Sequence, residues 1–291
     1  MTVSPAASAI PPVGLLLDVD GPIASPVSRT IAIDSITRDL VTIANLGVPV
    51  VFNTGRSDAF IRDVVVKPML AAGLSPDARV FGVCEKGAVW FGITMRNFSG
   101  VNVDESVLLP PDVVDDLHAL LDRSYSDTMF WDATKRAMVS VEQRTDVPSA
   151  QYLEAQKSFD DEAFALLEAA GIGVVLDGRR SGDVIGYRID PTIISTDIEA
   201  VSLGKDLGAE RALDLLADSG ELPRVWRTVG DSRSDYAMAD YLHLKGYEVA
   251  HVDVRPADGV PEKPYRVITE GDLIHDEAGA AFLAHWVRQL S

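Results

Sequence analysis

The apolar positions of this chain fall into two kinds of pattern. Residues 13–19, 48–53, 79–84, 225–229 and 248–252 form short, nearly unbroken apolar blocks. Such blocks suit strands buried on both faces of a parallel sheet. Between and after them, residues 28–46, 57–72, 202–218, 234–244 and 278–290 place apolar side chains near helical spacing. Gly47 and Gly73 stand where the first two of these helices would stop, and Pro68 should disturb the second. The alternation predicts a doubly wound α/β core. Residues 92–195 break that rhythm. Strands are expected at 88–94, 139–143, 172–176 and 184–189, helices at 111–123 and 149–170, and a turn-rich run at 177–182. This mixture reads as an inserted α+β domain. The expected organisation is a flexible tail over 1–12, a core made of 13–91 and 196–291, and an insert over 92–195.

Composition narrows the function classes. The chain has 291 residues, of which 47% are hydrophobic, enough to bury a sizeable core. Its 44 acidic and 26 basic residues leave a formal charge of −18. That excess opposes a phosphate backbone and an anionic membrane surface, so neither nucleic acid nor membrane is expected as a partner. A small anionic substrate stays open, because local charges at a site can oppose the global sign. The one cysteine, Cys84, lies in an apolar run, which fits a buried thiol and excludes an internal disulfide. The first twelve residues have no basic segment followed by a long apolar one, and no window has the length of a membrane span. A cytoplasmic protein is expected. Nothing in the composition fixes the oligomeric state.

The candidate chemistry sits where the predicted strands end. In an open parallel sheet, ligands bind beyond the carboxyl ends of the strands. Asp18 and Asp20, Asn53 and Thr54, and Asp231 and Asp235 all fall at such ends, and Lys205 opens the helix before the last of these strands. Asp18 and Asp20 are two apart on an extended segment, which directs both to one side. Carboxylates of this kind, joined by Asp231, form an all-oxygen set suited to Mg²⁺. Such an ion screens a carboxylate nucleophile from an anionic ester. Gly21 lets the chain turn sharply out of the strand. Thr54 and the freed amides around Gly55 suit a phosphate oxygen. Alone, each piece has a plainer explanation: an acidic turn, a helix N-cap, a solvated lysine.

Taken in order, the pieces resemble the motifs of the haloacid dehalogenase superfamily. Asp18-Val19-Asp20-Gly21 matches its first motif, the strand ending Asn53-Thr54-Gly55-Arg56 its second, Lys205 its third, and Gly230-Asp231-Ser232-Arg233-Ser234-Asp235 its fourth. The resemblance implies that Asp18 is a nucleophile that becomes phosphorylated and Asp20 the general acid/base. It implies that Thr54, Gly55 and Lys205 bind the phosphoryl group. Asp18, the backbone carbonyl of Asp20, and Asp231 would hold Mg²⁺, with Asp235 as a further ligand or a supporting partner. Because the insert lies between the second and third motifs, it is similar to a C2-type cap. Glu85-Lys86-Gly87-Ala88 resembles the Glu-Asn-Gly-Ala segment of type IIB members, a group that includes Cof-like sugar phosphatases. Three positions depart from the pattern: Pro22 where Thr is common, Lys86 in place of Asn, and Asp206 where Gly is common after the lysine.

The implied activity is hydrolysis of a phosphate monoester of a small metabolite, a sugar phosphate on family grounds. A phosphomutase that passes the phosphoryl group to a sugar is the enzymatic alternative, and an idle binding protein with this fold is the alternative from another class. Substrate choice would rest with the insert, where Arg136, Arg144, Arg179, Arg180 and Arg188 are candidate anion contacts and Trp131 and Tyr187 candidate stacking surfaces.

Overall fold

The structure, a computed structural model, describes residues 10–95 and 99–291. Residues 1–9 of the expected tail lie outside the described residues. In chain order the first elements are β1 (Gly14–Leu17), α1 (Asp34–Asn45), β2 (Val50–Asn53), α2 (Asp58–Ile61), α3 (Lys67–Ala71), β3 (Val80–Cys84), β4 (Val89–Gly92) and β5 (Asn102–Val103). Next come α4 (Pro111–Ser124), β6 (Met129–Trp131), β7 (Val139–Gln143), α5 (Ser149–Ala169), β8 (Val174–Leu176), β9 (Arg179–Ser181), β10 (Tyr187–Pro191) and β11 (Ser195–Ala200). The chain closes with α6 (Lys205–Ser219), β12 (Val225–Gly230), α7 (Tyr236–Leu244), β13 (Glu248–Asp253), β14 (Arg266–Ile268) and α8 (His275–Leu290). Two compact units result: Met1–Asn102 with Gly204–Ser291, and Val103–Leu203.

The first unit is the α/β core that the apolar blocks predict. Its sheet runs β14-β13-β12-β1-β2-β3-β4-β5. Strands β14 through β3 are parallel, and β4 turns back antiparallel to β3. The central strands are buried along their whole length, with α6 and α7 packing Ala209, Ala212, Leu216, Met238 and Leu242 against Leu16, Val51, Phe81 and Trp226. Chain order moves outward from β1 in one direction and from β12 in the other. The β1/β12 boundary is therefore the topological switch point, where such sheets place ligands.

Two helices differ from their predicted form for physical reasons. Residues 28–33, expected in the first helix, lie outside it: 28–30 are in turns closed by backbone bonds such as Ser25 N–H to the Thr30 carbonyl (2.9 Å), and 31–33 are irregular. The helix expected over 57–72 does feel Pro68: a π-type turn, Arg62–Val66, separates α2 from α3. The wider turn accommodates a ring that has no N–H to donate and would strike the carbonyl one turn back.

The second unit is a six-stranded sheet, order β6-β7-β11-β10-β8-β9, covered by α4 and α5. Leu117, Leu121, Val141, Tyr152, Phe159, Phe164 and Ile198 form its core. Its start, Val103, lies inside the expected 92–195, since β4 and β5 join the core sheet, and its end, Leu203, lies beyond the expected 195. The cause of the later end is β11, a strand near the middle of the sheet that pairs with both β7 and β10. Its buried positions include Thr196 and Glu199, so it carries no apolar block. Thr196 is satisfied inside by Gln156 Nε2 (3.1 Å) and by Asp160, which accepts its hydroxyl at 2.7 Å. No helix among the described residues is long and apolar enough to cross a membrane.

Asp160 yields a stability prediction. Burial pushes its carboxyl from 3.8 to about 6, against the hydrogen bond from Thr196. The fold thus favours the neutral acid. Below about pH 4 both folded and unfolded chains carry the proton, and no penalty arises. Between about 4 and 6 the unfolded chain ionises first, so this group's stabilisation is lost as pH rises, and above 6 the loss is constant. Asp160→Asn, which keeps an acceptor for Thr196, should raise the unfolding midpoint at pH 7. It should also flatten the pH 4–6 dependence relative to the unsubstituted protein; parallel pH profiles would refute this.

Candidate active site

Strand register brings three of the sequence signals to one level. Leu17 pairs with Val229 on one side and with Phe52 on the other. The next residues out of the sheet are therefore Asp18, Asn53-Thr54 and Gly230-Asp231. Asp18 N–H still donates to the Val229 carbonyl at 2.9 Å, which carries the sheet spacing one residue into the site.

Lys205 ties these ends together. Its Nζ lies 2.6 Å from Asp18 Oδ1 and 2.7 Å from Asp235 Oδ1, and donates to the Asn53 carbonyl at 2.8 Å. The ammonium is thereby shared between two carboxylates and one carbonyl. The lysine reaches this depth because α6 packs tightly onto the end of β2. A Cβ on Gly208 would sit 1.9 Å from Asn53 Oδ1, and Asn53 Nδ2 in turn donates to the Lys205 carbonyl at 2.9 Å. Burial opposes the charge on Lys205, yet Asp18 and Asp235 outweigh it and hold the ammonium above its usual range. Burial pushes the Asp18 carboxyl well above the carboxylate range against the pull of Lys205, with Asp235 and Asp20 adding to the rise. Asp235 goes the other way: burial is outweighed by Lys205 and by the hydrogen bonds from Ser232.

Asp235 also organises its own loop. Its Oδ2 accepts the N–H groups of Asp231 (3.1 Å) and Ser232 (2.9 Å) and the Ser232 hydroxyl (2.8 Å). Asp231 is left pointing at the cluster, with its carboxyl raised to about 6 by burial and by Asp235. Asp18, Asp231 and Asp235 each offer an oxygen within 4.8 Å of the others. Three carboxylates against one ammonium leave an excess of negative charge that one divalent cation would neutralise, and the all-oxygen donor set fits Mg²⁺. Gly21 has a left-handed φ of 93°, and a Cβ there would come within 2.7–2.8 Å of the Asp231 carboxyl. The glycine after Asp-x-Asp is thus required by both its conformation and its neighbour.

Sequence reasoning missed two contributors and the shape of one turn. Arg255 Nη1 and His275 Nδ1 flank Asp231 Oδ2 at 3.9 and 3.7 Å. Both lie outside the four motifs. Glu85 and Lys86 adopt left-handed φ angles of 48° and 55°, followed by Gly87 at 103°. This turn joins two parts of the site: Lys86 N–H donates to the Thr54 carbonyl (3.1 Å), Glu85 N–H to the Arg56 carbonyl (3.0 Å), and the Lys86 carbonyl accepts Gly204 N–H (2.9 Å). It fixes the Thr54 loop relative to the start of α6. The Glu-Lys-Gly run was legible as a motif, but its backbone shape was not. Thr54 is fully buried, and its hydroxyl accepts the Arg56 N–H at 3.1 Å. A Cβ on Gly55 would make only ordinary contact with the Lys86 side chain at 3.8 Å, so the space beside it is not what demands glycine.

The five arginines of the second unit do not form one cluster. Arg179 and Arg180 lie on β9 at one edge of the sheet, whereas Arg144 follows β7 near the other. Arg144 pairs with Asp146 (3.2 Å), and Arg179 pairs with Asp161 (3.2 Å) and covers the Phe164 ring at 3.8 Å. Arg188 is a structural clamp: it holds buried Glu199 through Nε (2.9 Å) and donates to the carbonyls of Val201 (3.2 Å) and Leu203 (2.7 Å). Arg136 lines a cavity of about 290 Å³ together with Trp131 and Met138. Tyr187 donates its hydroxyl to the Leu108 carbonyl at 2.6 Å.

No protein-family model matches the chain, and no curated protein sequence matches it. Solved structures do. The C-terminal domain of trehalose-6-phosphate phosphatase from C. albicans aligns over 96% of this chain and 93% of its own, with TM-score 0.64 and 14% identity. A haloacid dehalogenase-like hydrolase from Bacteroides thetaiotaomicron aligns over 94% and 98%, with TM-score 0.61 and 11% identity. The sucrose-phosphatase of Synechocystis, solved with sucrose and phosphate, aligns over 95% and 98%, with TM-score 0.52 and 14% identity. At these identities the likeness is one of fold. The chain has the haloacid dehalogenase-like fold that the motif order leads one to expect, including the second unit.

Proposed function

We propose that this chain is a Mg²⁺-dependent phosphohydrolase of the haloacid dehalogenase superfamily, acting on a sugar phosphate or similar small metabolite. The observation that carries the reading is the Lys205 ammonium, held between Asp18 and Asp235 at the sheet's switch point. A buried lysine joining two acids from separate strand ends is not explained by capping or by solvation of a surface turn.

Asp18 is the nucleophile. Its carboxylate oxygen bonds to phosphorus while the bond from phosphorus to the leaving oxygen breaks, and Asp20 passes its proton to that oxygen. The phosphoryl group is then an acyl phosphate on Asp18. Water attacks the phosphorus and gives a proton to the Asp20 carboxylate. The acyl-phosphate bond breaks, which frees inorganic phosphate and restores both acids. Thr54 and the amides around Gly55 receive phosphoryl oxygens, and Lys205 orients Asp18 toward them. Asp18, the Asp20 carbonyl and Asp231 would hold Mg²⁺, with Asp235 bracing the Asp231 loop. Bound there, the ion screens the repulsion between nucleophile and phosphate. The uncatalysed reaction is slow enough that on the order of 20 kcal/mol must be supplied, and positioning with electrostatics can supply most of it. The second unit serves as the cap that selects the leaving group, and the cytoplasm suits such a metabolic role.

The test is a panel of phosphorylated sugars and other metabolites, with p-nitrophenyl phosphate as a generic ester. Phosphate release that needs Mg²⁺, stops with a chelator and requires no bisphosphate activator is the expected result. Silence across the whole panel, the aryl ester included, would refute the reading.

A further inference from the structure

Arg56 has no role in the scheme above, yet it is bound to the group that must move a proton. It follows Thr54 and Gly55 at the end of β2, and its side chain crosses to the end of β1. Nε donates to Asp20 Oδ2 at 2.8 Å, and Nη2 donates to Asp20 Oδ1 at 2.9 Å. The guanidinium carbon lies 4.7 Å from the centre of the Phe60 ring, so an aromatic face supports the plane of the fork. The pair is partly shielded from bulk water, with side-chain exposures of 19% for Arg56 and 34% for Asp20. The backbone of Arg56 is fixed as well, by its N–H bond to Thr54 Oγ1 (3.1 Å) and by the Glu85 N–H on its carbonyl (3.0 Å).

Two parallel N–H···O bonds from one rigid plane set a carboxyl group's position and its rotation together. A single ammonium in the same place would set only the distance. The grip begins in the loop proposed to receive the phosphoryl group and ends on the proposed acid. Its geometry therefore couples phosphoryl placement to the direction in which Asp20 faces the leaving oxygen.

We propose that Arg56 is the positioning residue for Asp20: its fork aims the Asp20 carboxyl at the leaving oxygen, so that the proton arrives as the phosphorus–oxygen bond breaks. This rests on the phosphohydrolase reading. The effect must then depend on the leaving group. An alkoxide, as from a sugar phosphate, leaves only with a proton, whereas p-nitrophenolate leaves without one.

The experiment compares Arg56→Gln, Arg56→Lys and Asp20→Asn, with Mg²⁺, on an alkyl phosphate and on p-nitrophenyl phosphate. Arg56→Gln is expected to lower kcat for the alkyl ester by about a hundredfold, the scale of a misplacement near 1 Å. For the aryl ester, the burst of p-nitrophenolate, which reports acyl-phosphate formation before water attacks, should keep its rate within about threefold, with KM for both esters nearly unchanged. Arg56→Lys should show the same selectivity, because charge without the fork does not aim the carboxyl. Adding Asp20→Asn to Arg56→Gln should cost little more than Asp20→Asn alone, as for two residues acting through one step. Equal losses on both esters in the step that forms the acyl phosphate, a rise in KM as the main effect, or full activity in Arg56→Lys would each overturn the proposal. Circular dichroism of every variant identifies any that fails to fold, and Arg56→Lys, which keeps bulk and charge, carries the test if Arg56→Gln is lost. If the unsubstituted protein hydrolyses neither ester, the phosphohydrolase reading itself fails, an outcome distinct from loss of selectivity alone.

Discussion

Asp18→Asn is expected to abolish phosphate release without unfolding the protein. Loss of a covalent nucleophile lowers turnover by roughly four to six orders of magnitude, and no neighbouring acid can substitute. Asp235 has Oδ2 engaged by three donors and faces Lys205 through Oδ1, and Asp20 is gripped by Arg56. The stability change should be small or favourable. Burial and the nearby Asp235 and Asp20 all disfavour a charge on Asp18, so a neutral amide relieves three unfavourable effects. Lys205 keeps Asp235 and the Asn53 carbonyl. Three measurements check this. Phosphate release should vanish, acid-quenched substrate reactions should trap an acyl phosphate on the unsubstituted protein alone, and the urea midpoint without Mg²⁺ should hold or rise. Residual turnover within a hundredfold would remove Asp18 from its assigned role, and a lower midpoint would mean that Asp18 braces the fold.

Much of this site is legible in the sequence because it is built on strand ends. An apolar block such as residues 48–53 announces both a strand and the place where it stops, and a parallel sheet carries all such stops to one edge. Asp18, Thr54 and Asp231 could therefore be grouped without coordinates. Contacts made by side chains that cross between strand ends escape that logic. Arg56 reaching Asp20, and Arg255 flanking Asp231, depend on rotamers and loop shapes with no periodic signal. The left-handed turn at Glu85 and Lys86 is similarly hidden, because neither residue type advertises a positive φ. In the second unit, β11 was missed for a different reason. Its buried Thr196 and Glu199 are satisfied by Gln156, Asp160 and Arg188, and polar residues matched by polar partners inside a core look like surface to a hydropathy pattern. The same pairing explains why Arg188, a substrate candidate by composition, is a clamp within its own unit.

Lys205→Met should unsettle the core unit as well as its chemistry, and Mg²⁺ should repair only the former. In the folded protein Lys205 is 8% exposed and Asp235 fully buried, and the ammonium is what makes two adjacent carboxylates tolerable there. Removing one partner of a buried ion pair costs about 3–5 kcal/mol, because the remaining charge has neither water nor a partner. Methionine fills the volume of the stem, so the loss reports charge and not a cavity. A divalent cation bound by Asp18 and Asp231 would partly replace the missing positive charge. It should also bind more tightly to a site that has become more negative. Saturating Mg²⁺ should thus raise the urea midpoint of Lys205→Met by more than it raises that of the unsubstituted protein, since a ligand that binds only the folded state stabilises in proportion to the logarithm of its excess over Kd. Activity should not return with stability. The ion cannot stand in for the ammonium between Asp18 and the incoming phosphoryl group, and losing one preorganised donor of this kind lowers kcat by roughly a hundred- to a thousandfold. Equal Mg²⁺ stabilisation of the two proteins would detach the cation from the Asp18–Asp231 cluster. Activity restored by Mg²⁺ would mean that Lys205 serves the fold alone.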